Sequence, residues 1–371
     1  MKRISAAFGV MAACAVLLSV MGLYGDSVPQ KEPAVIAEPS GLMPSVYGSE
    51  TGLVTVPIAG FKSGSLPSLT SVSVTFVGDC VLASNINDTR EDSFIKYADV
   101  REQSYFFEKA VPCYADSDFV MASCETVLSD RVLFRTEKEG EAFWFKSPES
   151  YAGIFSAGCI DAVSLANNHT YDYGTEGYED TAAALTSAGI AWGDIDRPVY
   201  FEKNGIKVAV VCAKLFSKNA DADITSAIEE VLPESDIQIL FFHGGEEYEH
   251  VPEDWMKELC HKYADMGVDL IVGSHPHVIR PMEEYNGVDI IYSIGNFCYG
   301  ANRQPENRTV VLTETFYFNE DGEYEGAEEE ITPFYVYTGD HSNWQPAPVT
   351  DPMEISRTMS FLSGGSDKPV N

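Results

Sequence analysis

Short runs of β-branched and aromatic residues recur along the chain, and each stops at residues able to do chemistry. Val72-Ser73-Val74-Thr75-Phe76-Val77 ends at Gly78-Asp79, Phe119-Val120-Met121-Ala122 leads to Glu125, and Ala162-Val163-Ser164-Leu165 leads to Asn167-Asn168-His169. The apolar run at 237–242 ends on His243, Asp269-Leu270-Ile271-Val272-Gly273 feeds His275-Pro276-His277, and Asp289-Ile290-Ile291-Tyr292-Ser293 feeds Gly295-Asn296-Phe297. Runs of this length and composition, bounded by glycine and polar residues, predict strands. Helical stretches at 177–188 and 253–266 lie between them, so the pattern predicts an α/β domain with a largely parallel sheet and covering helices. Sheets of that kind collect ligands at the C-terminal ends of their strands, where these six polar groups fall.

Beyond residue 309 the pattern changes to strand-like segments at 310–318 and 331–337, separated by the acidic turn Asn319-Glu320-Asp321-Gly322, which predicts a terminal antiparallel hairpin. Residues 26–70 are rich in Pro, Gly, Ser, Ala and Val without a sustained period and read as a spacer. Before them, Met1-Lys2-Arg3 opens an apolar run at 4–24, long enough to span a bilayer. Residues 1–25 are therefore read as a signal peptide or N-terminal membrane anchor. No clean small-x-small cleavage site precedes Asp26, which favours the anchor. The expected plan is this segment, the spacer, one folded domain at 71–340 and a C-terminal tail at 341–371. The domain is expected outside the cytoplasm, anchored to the cell membrane by its N-terminal segment or secreted if that segment is cleaved.

Composition narrows the partners. With 57 acidic side chains against 24 Lys and Arg, the formal charge is −33, which excludes nucleic acid as a partner because phosphate neutralisation needs clustered cations. The same acidity suits cation binding. Of eight cysteines, Cys14 sits in the first apolar run, and Cys80, Cys113, Cys124, Cys159, Cys212, Cys260 and Cys298 form no close Cys-x-x-Cys pair, so no disulfide framework is indicated. Six read as small buried hydrophobes. Cys80, next to Asp79, is either a thiolate ligand or a buried thiol behind the strand.

The chain has seven histidines, and His169, His243, His275 and His277 fall at the ends of predicted strands. With Asp79, Glu125 and Asn168 they make the imidazole and carboxylate set that binds zinc, manganese or iron, so one or two divalent metal ions are expected. Two imidazoles one residue apart, with Pro276 fixing the backbone between them, can address adjacent metal positions. Asn168 offers a neutral amide oxygen, while His169 beside it is a ligand or a general acid. Glu246-Glu247 and Tyr248 either orient a ligand or cap the next helix. Glu328-Glu329-Glu330 reads as a solvated acidic face, and Phe143-Trp144-Phe145 as core or as a lid. Arg280 and Arg303 either clamp an anionic substrate or form salt bridges.

In this order, Val77-Gly78-Asp79, Ser123-Cys124-Glu125, Ser164-Leu165-Ala166-Asn167-Asn168-His169 with Asp172-Tyr173-Gly174, His243-Gly244-Gly245-Glu246-Glu247-Tyr248, Gly273-Ser274-His275-Pro276-His277 and Tyr292-Ser293-Ile294-Gly295-Asn296-Phe297 resemble the bacterial capsule synthesis CapA family. That family, also called PgsA or poly-γ-glutamate synthesis proteins, is similar to calcineurin-like metallophosphoesterases. The resemblance runs from about Val72 to Tyr299. It implies a metallophosphoesterase-like layered α/β/β/α sandwich with helices flanking mixed sheets. It implies Asp79, Glu125, Asn168, His243, His275 and His277 as metal-binding residues, with Glu125 a bridge between two metals, and His169 beside Asn168 as the catalytic pair.

The resemblance also implies a role in capsule or poly-γ-glutamate biosynthesis. The domain would be either a metal-dependent hydrolase acting on a phosphoester or γ-glutamyl polymer, or a non-enzymatic anchored subunit that binds or helps export an anionic capsule polymer. Its partners would be that polymer or the synthase complex in the membrane. Three positions depart from the pattern. Two-metal phosphoesterases present Asp-x-His where this chain has Asp79-Cys80-Val81, and aspartate where it has Glu125. Gly244 stands where CapA-like proteins often carry tryptophan. A single site around Glu125, Asn168, His243 and His275 is thus as open as a binuclear one.

Overall fold

The computed structural model describes residues 69–370 apart from 86–87, 89, 139–141 and 301–306. The N-terminal apolar run, most of the spacer and Arg303 lie outside the described residues. The strands begin with β1 (Thr70–Cys80), β2 (Phe119–Cys124), β3 (Val127–Leu128), β4 (Lys146–Ser147), β5 (Ala162–Ser164) and β6 (Ala191–Gly193). They continue with β7 (Val199–Lys203), β8 (Ile206–Leu215), β9 (Ile237–Gly244), β10 (Leu270–Ser274), β11 (Met282–Tyr285) and β12 (Val288–Ile291). The last are β13 (Thr309–Phe318), β14 (Tyr324–Tyr335) and β15 (Ala347–Pro348). Helices are α1 (Phe94–Ala98), α2 (Ala152–Ala157), α3 (Gly174–Ser187), α4 (Asp221–Val231), α5 (Asp254–Met266) and α6 (Pro352–Leu362). Among the described residues, no helix is long and apolar enough to cross a membrane.

Two mixed sheets carry the architecture, with orders β15-β14-β13-β1-β2-β5-β6 and β11-β12-β10-β9-β8-β7. In the first, β1, β2, β5 and β6 run parallel and the terminal hairpin joins antiparallel on β1. In the second, β8, β9, β10 and β12 are parallel, with β7 and β11 antiparallel at the edges.

Side-chain alternation divides the layers. Along β8, Val208, Val210 and Cys212 enter the cluster between the sheets with Val72, Val74, Phe76, Ile239 and Phe241. Ala209, Val211 and Ala213 face outward to Ile224 and Ile228 of α4 and to Met256, Cys260 and Tyr263 of α5. A third cluster, including Phe107, Phe155, Val163 and Leu185, covers the outer face of the first sheet. Phe76 and Phe241 meet edge to face across the central layer, 5.1 Å between ring centroids. Each such buried side chain contributes roughly 1.5–3 kcal/mol of transfer free energy. The result is the expected metallophosphoesterase-like α/β/β/α sandwich.

Two details go beyond the sequence pattern. β14 begins at Tyr324 rather than near 331, because backbone pairing with β13 carries the exposed, glutamate-rich stretch into the sheet despite its poor strand propensity. Residues 341–371, set apart in the sequence as a tail, contain β15, which pairs with β14, and α6, whose Phe361 and Leu362 enter the inter-sheet core.

Candidate metal centre

The centre starts with a fault in β1. The pairing of β1 with β2 runs Val77 to Ala122 and then Asp79 to Ser123, so Gly78 is an extra residue that reverses the alternation. Cys80 consequently packs in the outer cluster with Val77, where its Sγ–H donates to the Gly78 carbonyl at 3.6 Å. Burial pushes that thiol well up, and it stays protonated. Of its two readings, the buried thiol holds and the thiolate ligand does not. Only glycine fits at 78, since a Cβ there would overlap the Gly295 carbonyl oxygen. The Asp79 main chain is in turn held between Gly295 O and Phe297 N, at 3.1 and 2.8 Å.

Asp79 accepts the His275 backbone N–H at 3.0 Å, and its carboxylate oxygens lie 3.6 Å from Nδ1 of both His243 and His277. Glu125, just past β2, is fully buried, with Oε2 3.9 Å from Nε2 of both His169 and His243. At the end of β9, His243 sets Nδ1 3.0 Å from Ser274 Oγ, whose own hydroxyl donates to Phe242 O. The Ser274 oxygen therefore accepts from His243 Nδ1–H, and Nε2 carries the lone pair. That nitrogen lies 2.8 Å from Asn168 Oδ1 and 3.0 Å from His275 Nδ1. His277 donates Nδ1–H to Asn296 Oδ1 at 2.8 Å, which turns Nε2 toward other partners.

Electrostatics follow from burial among these groups. Burial opposes ionisation of Asp79, but the imidazoles of His243 and His277, each 3.6 Å from it, hold it well below the usual carboxylate range. Glu125 is driven well up by burial and by the Asp79 charge. Burial lowers His243, and burial with the two neighbouring imidazoles lowers His275 to about 2, so both present neutral rings. His277 is raised to about 9, its burial outweighed by Asp79 and Glu125.

Glu125 Oε1, Glu125 Oε2 and Asp79 Oδ1 are buried with no hydrogen-bond partner among the described residues. Unpartnered buried carboxylate oxygens are costly, and facing imidazole and amide lone pairs they fit a divalent cation. Ligand atoms of Asp79, Glu125 and His243 lie within 4.8 Å of one another, as do those of Glu247, His275 and His277. All six residues expected as metal-binding thus meet in one place, Asn168 on its exposed side.

His169 stands at the rim. Its Nδ1–H donates to Asp172 Oδ2 at 2.9 Å, Asp172 is ion-paired with Lys138 and accepts from Phe145 N, and the Phe145 ring lies 4.6 Å from the imidazole. Asn167 turns away, bonding the Cys124 carbonyl and the His169 N–H. Elsewhere, His261 of α5 pairs with Glu283 of β11, and His250 bonds Ile279 O. Arg280 is fully buried and salt-bridged to Glu253, so it is not a substrate clamp. Asp172, Lys138, Asn296 and Glu247 are additions to the expected set. Asp172 and Asn296 fall within recurring motifs, whereas Lys138 carries no sequence signal.

Fold and site together define a class, a layered α/β/β/α domain with an imidazole and carboxylate cluster at its strand ends. The chain belongs to the family described as bacterial capsule synthesis protein PGA_cap, whose model matches residues 73–301. It is 28% identical to the PGA biosynthesis protein CapA of Bacillus subtilis over 75% of this chain and 74% of that protein. It is 25% identical to the capsule biosynthesis protein CapA of Bacillus anthracis over 80% of this chain and 74% of that one. A probable polyglutamine synthesis accessory protein of Mycobacterium tuberculosis is 28% identical over 36% of this chain and 43% of its own length.

Proposed function

We propose that this protein acts in capsule or poly-γ-glutamate biosynthesis as a metal-dependent hydrolase of an anionic polymer or phosphoester, with the centre around Glu125 as its active site. The observation that carries this is the trio of buried, unpartnered carboxylate oxygens on Asp79 and Glu125 among four imidazoles. Asp79, Glu125, Asn168, His243, His275 and His277 would hold the cation. A divalent cation bound there supplies Lewis acidity and offsets negative charge on the substrate and on its transition state.

The chain's own groups do the rest. Asp172 fixes His169 as the Nδ1–H tautomer and presents Nε2 to the site. Nε2 takes a proton from the attacking water and passes it to the leaving group, and between the two transfers Asp172, held by Lys138, stabilises the imidazolium form. Phe145 and the Thr136–Trp144 hydrogen bond keep that edge packed and shield the exchange from bulk water.

The N-terminal apolar run supports a domain displayed outside the cytoplasm, tethered or released, beside the membrane synthase complex. Fractionation of cells expressing the chain tests that placement: recovery in the cytosol contradicts it. For activity, protein loaded with Mn, Zn or Fe is assayed against phosphoester and γ-glutamyl substrates, and cleavage that disappears in His169→Ala is expected. The description of one relative as an accessory protein favours a second reading, in which the centre binds polymer without cutting it. Metal-dependent polymer retention with no product would select it.

A further inference from the structure

Where the two-metal motif Asp-x-His carries a second imidazole this chain has Val81, an apolar residue packed with Ala83 and Phe145, and the intervening Cys80 faces the other side of the sheet. His275 and His277 therefore lack the partner that such a motif would supply. The structure offers another source, the loop that follows β9. From this geometry we infer that Glu247 is a metal ligand and forms, with His275 and His277, a divalent-cation position separate from that of Asp79, Glu125 and His243. The inference rests on the proposed centre and adds a ligand to it.

Glu247 is exposed, and exposed acids are common without an ion, so its placement has to be earned by the loop. Three contacts hold that loop. Arg280 is buried beneath it, donating from Nε to Glu249 O at 2.8 Å, from Nη2 to Glu246 O at 3.1 Å and from Nη1 to Glu253 Oε2 at 2.9 Å. Glu253 reaches back to accept the Glu246 N–H at 2.8 Å. Tyr248 N–H donates to Pro276 O at 2.8 Å, which ties the residue after Glu247 to the turn between the two histidines. Gly245, at φ +97°, leaves no room for a side chain above the Arg280 guanidinium.

The loop thus arrives at the histidine turn in a defined register. It brings the Glu247 carboxylate to within 4.8 Å of ligand atoms on His275 and His277, with Asn296 occupying His277 Nδ1 and leaving Nε2 to the site. Hard carboxylate oxygen with two imidazoles is a three-ligand set suited to Zn or Mn, with room for water or an anionic substrate oxygen. Two cation positions, one drawing on His243 and the other on His275, whose facing nitrogens lie 3.0 Å apart, would let one site address two oxygens of the same anionic group.

The test uses the full-length chain, stripped of metal and titrated with Mn(II) and separately Zn(II), reading equivalents and affinities by calorimetry and elemental analysis. Two equivalents are expected for wild type. Glu247→Gln should weaken one of them at least about tenfold and leave the other unchanged. Glu247→His should restore it, Glu246→Gln should match wild type, and unchanged metal-free melting of the variants would exclude a folding effect. Two equivalents held by Glu247→Gln with wild-type affinity would overturn the inference. A single equivalent, lost in Asp79→Asn and indifferent to Glu247→Gln, would overturn it while sparing the proposed centre. No binding by wild type would overturn both.

Discussion

Glu125 and Glu314 are buried to nearly the same degree, at 0% and 1% exposure, and in each an oxygen lacks a hydrogen-bond partner among the described residues. Their surroundings differ. Glu125 lies just past β2, at the strand ends, where the neutral imidazoles of His169 and His243 face it beside Asp79. Glu314 lies mid-strand in β13, in the inward row of Val310, Leu312 and Phe316, and the charges that act on it are those of Asp289 and Glu329. Burial drives both carboxyls up. At Glu314 only a proton can relieve the repulsion, whereas at Glu125 the neighbours bring lone pairs that a cation can share. Carboxylate burial alone does not mark a site; carboxylate burial facing imidazoles does.

The largest effect expected from this contrast is on cation binding. Glu125→Gln should weaken it by about 3–5 kcal/mol, the scale of removing one member of a buried charge pair, while Glu314→Gln leaves it unchanged. Metal titration of the two variants checks this, and equal losses would break the comparison. Next, His243→Ala and His275→Ala should sharply lower metal content, whereas substitution to alanine of His261, which pairs from α5 with Glu283 of β11, should not.

At the rim, His169→Ala should retain metal and lose turnover by on the order of 10²-fold, with Asp172→Asn showing a smaller loss of the same kind. Kinetics with parallel metal analysis separates this from ligand loss, since a fall in both would make His169 a ligand.

The smallest effect concerns stability. Glu314 has a folded pKa raised well above its ordinary 4.5, and Asp289 is raised from 3.8 to about 6, chiefly by burial. A raised carboxyl binds more protons in the folded chain, so its contribution is fully present below the ordinary value and is lost as pH rises through the folded value. Wild type should therefore lose stability relative to Glu314→Gln as pH climbs above the ordinary carboxyl range, with a slope approaching roughly 1.4 kcal/mol per pH step of one. Melting curves across that range measure the difference, and parallel curves would contradict it.

Much of the centre was legible because its residues interrupt apolar runs. His243 and His275 stand out at the ends of β9 and β10, and Asp79 closes a β-branched stretch. What could not be read depended on contacts distant in sequence. The direction of Cys80 follows from a bulge that shows only when β1 is paired with β2. Glu247 is indistinguishable from Glu246 until Arg280, from beyond the histidine turn, staples the loop. Glu314 hides in a strand whose inward row is visible only once β13 has found β1. The C-terminal helix lacked a strong signal because its stability comes from Phe361 and Leu362 entering a core built by other segments.

Metal content of the purified full chain, measured by elemental mass spectrometry for wild type, Asp79→Ala and His275→Ala, tests the proposed centre most directly. Tightly held divalent metal in wild type that falls sharply in both variants is the predicted result. Metal-supplemented wild-type protein that retains none after desalting would contradict it.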